Sequence, residues 1–210
     1  ASSGGASNLP GNHPKVVVAQ RVLNDLVRAV GDGRTPPALQ LLPRGQASRH
    51  QVLWIDFGQN LLTMQEEVYD ICAAMGADSL NALAFLLGHE LAHRYKDHDW
   101  VADFVSGAAD LEVGRRLDEL NLDRAGMLAR ETEADDWGGF FSAIAGYPGA
   151  DIAPAVLGRI YAAYDLPEEL AGYPSLAERQ QIAVRAGDRL RRLVPVHEAG
   201  HLLARIRRFE

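Results

Sequence analysis

The residue types best suited to chemistry are two histidines and a glutamate in His89-Glu90-Leu91-Ala92-His93. Histidines at i and i+4 leave one face of a helix a turn apart, where their rings can close on a single tetrahedral zinc ion. The glutamate after the first histidine stands beside such a metal without binding it. From there it can take a proton from a metal-activated water and pass it to a leaving amine. A leucine- and alanine-rich helix can also produce this pattern by chance, so a third ligand decides its meaning. The stretch Arg130 to Gly138 offers one. It reads as helix, with Glu131, Ala134, Asp135 and Gly138 on one face. Glu131 can supply the carboxylate oxygen that completes a His-His-Glu site with one open position. Asp135, one turn on, can accept the Nδ1–H of a ligand histidine and fix its tautomer. Small Ala134 and Gly138 let this helix press against the histidine helix, a feature that a plain solvated acidic helix does not need.

The elements that position these residues follow from the surrounding pattern. The run Leu80 to Leu87 has no proline and few β-branched residues, so it reads as helix. Gly76 closes the helix before it, and Asp78 or Ser79 offers an N-cap oxygen. Leu80, Leu83, Leu87 and Leu91 form one stripe, with His89 and His93 on nearly the opposite face beside Phe85 and Leu86. A helix that is apolar on both sides is a buried central one.

Three features together resemble the M48 family of zinc metallopeptidases, over roughly Gln51 to Leu190. His89-Glu90-Leu91-Ala92-His93 followed by His98 is similar to the family's H-E-x-x-H-x-x-x-x-H form, and Glu131 to Gly138 to its E-x-x-A-D-x-x-G helix. Tyr173-Pro174-Ser175 with Arg179 stands where many members carry a His-Pro…Arg segment. The resemblance implies zinc ligands at His89, His93 and Glu131, a general base at Glu90 and a ligand-orienting carboxylate at Asp135. His98 is usually not a ligand in such proteins. Tyr173 replaces the commoner histidine, and two roles are open to it: an oxyanion donor, or simple packing in a turn before Pro174. The resemblance also implies that the edge strand around Leu53, Trp54 and Ile55 takes the substrate as an added strand. The alternative there is plain sheet packing.

Composition sets the outer bounds. The 210 residues suit one domain with a full core, and a 47% hydrophobic, 23% charged composition is that of an ordinary globular protein. A net charge of −7 disfavours nucleic acid or anionic membrane as main partner. No apolar run approaches a membrane span, which points to the soluble branch of the family and, by resemblance alone, to an exported, periplasmic location. The one cysteine, Cys72, lies among Val68, Ile71 and Met75 and reads as a buried thiol. Ala1 to Asn8 shows no signal-peptide pattern and reads as the start of a processed chain.

Along the chain, Pro14 to Val30 is an amphipathic helix stopped by Gly31, Ala38 to Pro43 and Gln51 to Phe57 are short strands, and Met64 to Met75 is a helix. Trp100 to Leu120 reads as helix, with Glu112 as reserve third ligand, and Asp123 as the cap of the Glu131 helix. Ile152 to Tyr164 is a further helix, and Ser175-Leu176-Ala177-Glu178 is a capping box opening a last one to about Leu193. A second pentapeptide, His197-Glu198-Ala199-Gly200-His201, lacks a following acidic helix and is crowded by Arg205, Arg207 and Arg208. It looks instead like the first helix of a tetratricopeptide-like repeat, which needs neighbours to bury its face. The expected division is a flexible segment 1–13, a peptidase domain 14–194 and a C-terminal helix 195–210.

The expected fold is α+β, mainly helical and zincin-like, with a small sheet beside the histidine helix. The expected activity is a zinc-dependent endopeptidase acting on extended or unfolded polypeptide. Its alternative is a gated or silent domain serving as chaperone or assembly factor with a helical-repeat partner.

Overall fold

The computed structural model describes residues 8–45, 52–98, 122–169 and 173–206. Among these the order is α1 (Pro14–Val30), β1 (Ala38–Leu42), β2 (Leu53–Asp56), β3 (Leu61–Gln65), α2 (Glu66–Ala73), α3 (Ser79–Tyr95), α4 (Leu122–Ile144), α5 (Gly149–Tyr164) and α6 (Leu176–Ile206). The architecture is mainly helical with one small sheet. Helix α1 starts where the Lys15 N–H donates to His13 Nδ1, and it stops at Gly31, whose positive φ no β-carbon opposes. Its inward stripe is Val16, Ala19, Val22, Leu23 and Leu26. The chain ahead of it is held too: the Leu9 N–H donates to the Leu41 carbonyl, and Leu9 packs on the core.

The sheet has the order β1-β3-β2, with β1 parallel and β2 antiparallel to β3. Its central strand corrects the sequence reading, which ran a helix from Met64. Leu61 to Gln65 instead pairs on both edges, and only at Glu66 does the chain turn helical. Leu62, Thr63, Met64 and Gln65 are all buried, so this strand sits in the interior. Strand β2 lies at one side of the sheet and against α3.

Helix α3 runs through the centre, as its two-sided apolar pattern requires. Every residue from Ala82 to Ala92 is buried, including Gly88, His89 and Glu90. Asp78 precedes it without capping, its carboxylate accepting instead from the Asn81 side chain. Helix α4 crosses α3 at the two glycines. A β-carbon on Gly138 would stand 2.8 Å from the His89 backbone nitrogen, and one on Gly88 2.9 Å from the Gly138 carbonyl oxygen. Backbone meets backbone here, with no flexible side chain to yield. Gly138→Ala is therefore expected to destabilise the metal-free chain by about 1–3 kcal/mol through overpacking, despite alanine's better helix propensity. Equilibrium urea unfolding measures it, and unchanged stability would contradict the contact.

Two smaller expectations differ. Asp123 lies within α4 rather than capping it, and α6 continues unbroken past Leu193, across residues 194 and 195, to Ile206. The capping box is present: Ser175 N–H and Oγ both meet Glu178 Oε2 at 2.8 Å, while the Glu178 N–H returns to Ser175 Oγ. Cys72 is buried, and burial pushes its thiol pKa up to about 12. The proposed helix from Trp100 to Leu120, Glu112 with it, and the side chains of His197 and His201 lie outside the described residues. No helix among the described residues is long and apolar enough to cross a membrane.

Candidate metal centre

The crossing of α3 and α4 brings together the three candidate ligands read from the sequence. His89 Nε2 lies 3.1 Å from His93 Nε2. Glu131 reaches across from α4, with Oε2 at 3.5 Å from His89 Nε2 and Oε1 at 3.5 Å from His93 Nε2. Two ligand atoms each about 2.0–2.1 Å from a tetrahedral zinc stand about 3.3 Å apart. The observed separations bracket that edge length, and two nitrogens with one carboxylate oxygen form a borderline donor set that zinc takes readily. His89, His93 and Glu131 thus fit a metal ion, and among the described residues they are the group of His, Cys, Asp and Glu side chains so arranged.

The charges around this triad are strongly coupled. Burial opposes a proton on His89, but Asp135 and Glu131 outweigh it and raise its pKa. Burial and the neighbouring His89 hold His93 well below the usual histidine range. Two imidazoliums this close repel each other, and the carboxylates on either side of His89 favour the charged form of that ring over His93. Burial opposes ionisation of Glu131 as well, yet His89 and His93 keep its pKa low.

Behind the ligands sits Asp135, fully buried, with Oδ1 2.9 Å from His89 Nδ1. A carboxylate thus stands beside the His89 ring. The sequence reading had not supplied its partner. Arg179 from α6 grips Asp135 with Nε and Nη2, each 2.7 Å from a carboxylate oxygen. This bidentate pairing outweighs burial and holds Asp135 well below the ordinary carboxylate range. The spacing of Arg179 four residues into a capped helix was visible, but nothing in it pointed to residue 135.

Glu90 accepts a hydrogen bond from the Ile55 backbone N–H, and the charges of His89 and Glu131 act on it as well. Burial pushes its pKa up to about 7. Ile55 is buried, while Leu53 and Trp54 beside it are partly exposed. The predicted juxtaposition of this strand and the histidine helix is thus observed. Tyr173 is more than a third exposed, and its phenol pKa is raised by partial burial and then by the Glu131 carboxylate. The charges of Arg179 and Glu90 act on the same phenol.

A second link escaped the sequence reading. His98 Nδ1 lies 2.9 Å from His93 Nδ1, and His98 Nε2 lies 3.3 Å from Glu133 Oε2. The other Glu133 oxygen takes Lys96 at 3.2 Å, and Lys96 lies over the Trp137 ring. Glu133 and Glu131 stand two apart on α4, so their side chains leave it in different directions. That divergence lets one helix serve both the ligand site and the ring behind it.

Comparison with protein-family models gives no match for this chain, and comparison with curated proteins gives none either.

Proposed function

We propose that this chain is a zinc-dependent endopeptidase of the zincin kind, similar to the M48 family, acting on extended or unfolded polypeptide. The observation that carries the reading is the convergence of His89 Nε2, His93 Nε2 and the Glu131 carboxylate at tetrahedral-edge spacing, with a buried carboxylate, Glu90, next to the first ligand. His89, His93 and Glu131 hold the ion. A zinc ion bound there supplies Lewis acidity toward water and a peptide carbonyl.

The protein's own groups do the rest. Glu90, whose burial holds its pKa near 7, takes a proton from the attacking water and returns it to the leaving amine. Its placement beside Ile55 puts the base next to the strand along which an extended peptide can pair. Leu53, Trp54 and Ile55 then contact the substrate mainly through the main chain, which gives little sequence selectivity. Tyr173 supplies a hydroxyl to the oxyanion that develops on the carbonyl. Asp135, locked by Arg179, keeps the His89 ring turned toward the ligand centre. The leucine-rich surroundings of α3 lower the local dielectric and strengthen each of these interactions.

Zinc content and casein cleavage, measured on the same sample, test this. The expected result is one zinc per chain and cleavage that stops on chelation and returns with added zinc. A chain that binds no zinc, or that cleaves equally well after chelation, would overturn it. Bound zinc without cleavage would favour the gated or silent alternative.

A further inference from the structure

The Nδ1 atoms of the two ligand rings meet different partners. His89 turns its Nδ1 toward Asp135, whereas His93 turns its Nδ1 toward another imidazole, His98. Resting on the metal-site reading above, we infer that His98 and Glu133 form a positioning relay that fixes the tautomer and orientation of His93 for metal binding.

The relay follows from counting protons. Both ligand rings point Nε2 into the centre, 3.1 Å from each other and 3.5 Å from Glu131. To bind a cation, each Nε2 must present a lone pair, so the proton of neutral His93 resides on Nδ1. The Nδ1–H of His93 then donates to His98 Nδ1, 2.9 Å away, which accepts only if His98 carries its own proton on Nε2. That Nε2–H donates in turn to Glu133 Oε2 at 3.3 Å. Every donor has one acceptor, and the opposite assignment leaves two N–H groups facing each other at the Nδ1–Nδ1 contact. Lys96 on the second Glu133 oxygen keeps that carboxylate ionised and in place, and itself rests on Trp137. His98 is buried while Glu133 is partly exposed. The relay thus runs from the ligand centre toward solvent along α4. Its anchor is independent of the Asp135–Arg179 pair that holds the other ring.

Groups that orient a ligand histidine typically govern metal affinity by about 10–100-fold. His98→Ala is expected to weaken zinc binding by that factor in competition with a chromogenic chelator. Glu133→Ala, at a partly exposed position, is expected to weaken it several-fold. His98→Gln, whose side-chain carbonyl can accept the His93 Nδ1–H, is expected to recover part of the affinity. Ring-nitrogen NMR of the zinc-loaded wild type is expected to show His93 protonated on Nδ1 and His98 on Nε2. Wild-type affinity in both alanine variants, or His98 protonated on Nδ1, would overturn the relay and leave the metal site standing. A wild type that binds no zinc would instead remove the metal site itself.

Discussion

Glu90→Gln is expected to lower kcat/KM for an unfolded protein substrate by about 10²–10⁴-fold, the range a positioned general base contributes, at unchanged zinc content. Glutamine matches the volume of glutamate, and its carbonyl can still accept from the Ile55 N–H. What it cannot do is take a proton. The same variant reports on the cost of holding a carboxylate in this place. Burial raises the folded-state pKa of Glu90 to about 7, above its unfolded value, so its protonation favours the fold. That contribution is fully present below the unfolded pKa and is lost as pH rises through about 7. The metal-free Glu90→Gln chain should therefore melt higher than wild type at pH 8 and at the same temperature at pH 4. Casein cleavage at equal zinc loading checks the first part and paired thermal melts the second. Wild-type cleavage by the variant would remove Glu90 from the chemistry.

Asp135→Ala is expected to cost about 3–5 kcal/mol, the range seen when one partner of a buried ion pair is removed. Asp135 is fully buried, and the Arg179 side chain is only 14% exposed. Truncation leaves a guanidinium inside the protein with its two 2.7 Å acceptors gone. The partner, more than the lost contact, sets the size of the effect. A second change follows from that logic: Asp135→Ala combined with Arg179→Met should recover much of the loss, because no unpaired charge then remains. Urea unfolding of the metal-free single and double variants measures both. A single variant within about 1 kcal/mol of wild type would mean that water or another acidic group reaches Arg179.

The site was more legible than the sheet, for physical reasons. His89, Glu90, His93, Glu131 and Asp135 lie on two helices, and helical spacing within each segment fixes which side chains share a face. Gly138 and Ala134 added the missing long-range clue, because small residues on that face imply close approach. Strand β3 had no such local signature. Leu61, Leu62 and Met64 are good helix formers, they precede a true helix, and only pairing with Ala38–Leu42 on one side and Leu53–Asp56 on the other makes them a strand. The parallel partner Ala38–Leu42 lies outside any local window, and the short turn after Asp56 does not by itself tell a strand from a helix start. The Arg179–Asp135 and His98–Glu133 pairings were hidden for the same reason: each joins segments whose relative placement is set by packing around α3.

The backbone contact between Gly88 and Gly138 has a consequence for the geometry of the candidate site. Side chains can lengthen or shorten their reach by changing rotamer, but two main chains in van der Waals contact form a hard stop. Glu131 is carried on one side of that stop and both histidines on the other. The separation between the helices that carry these side chains is thus set in advance by the thickness of two polypeptide backbones. For any ion held there, the distance between the two helix axes is the part of the geometry that cannot adjust, and the Glu131 side chain takes up the remainder. The separation of the candidate ligand helices is in this way written into the seam between them, through residues that have no side chains at all.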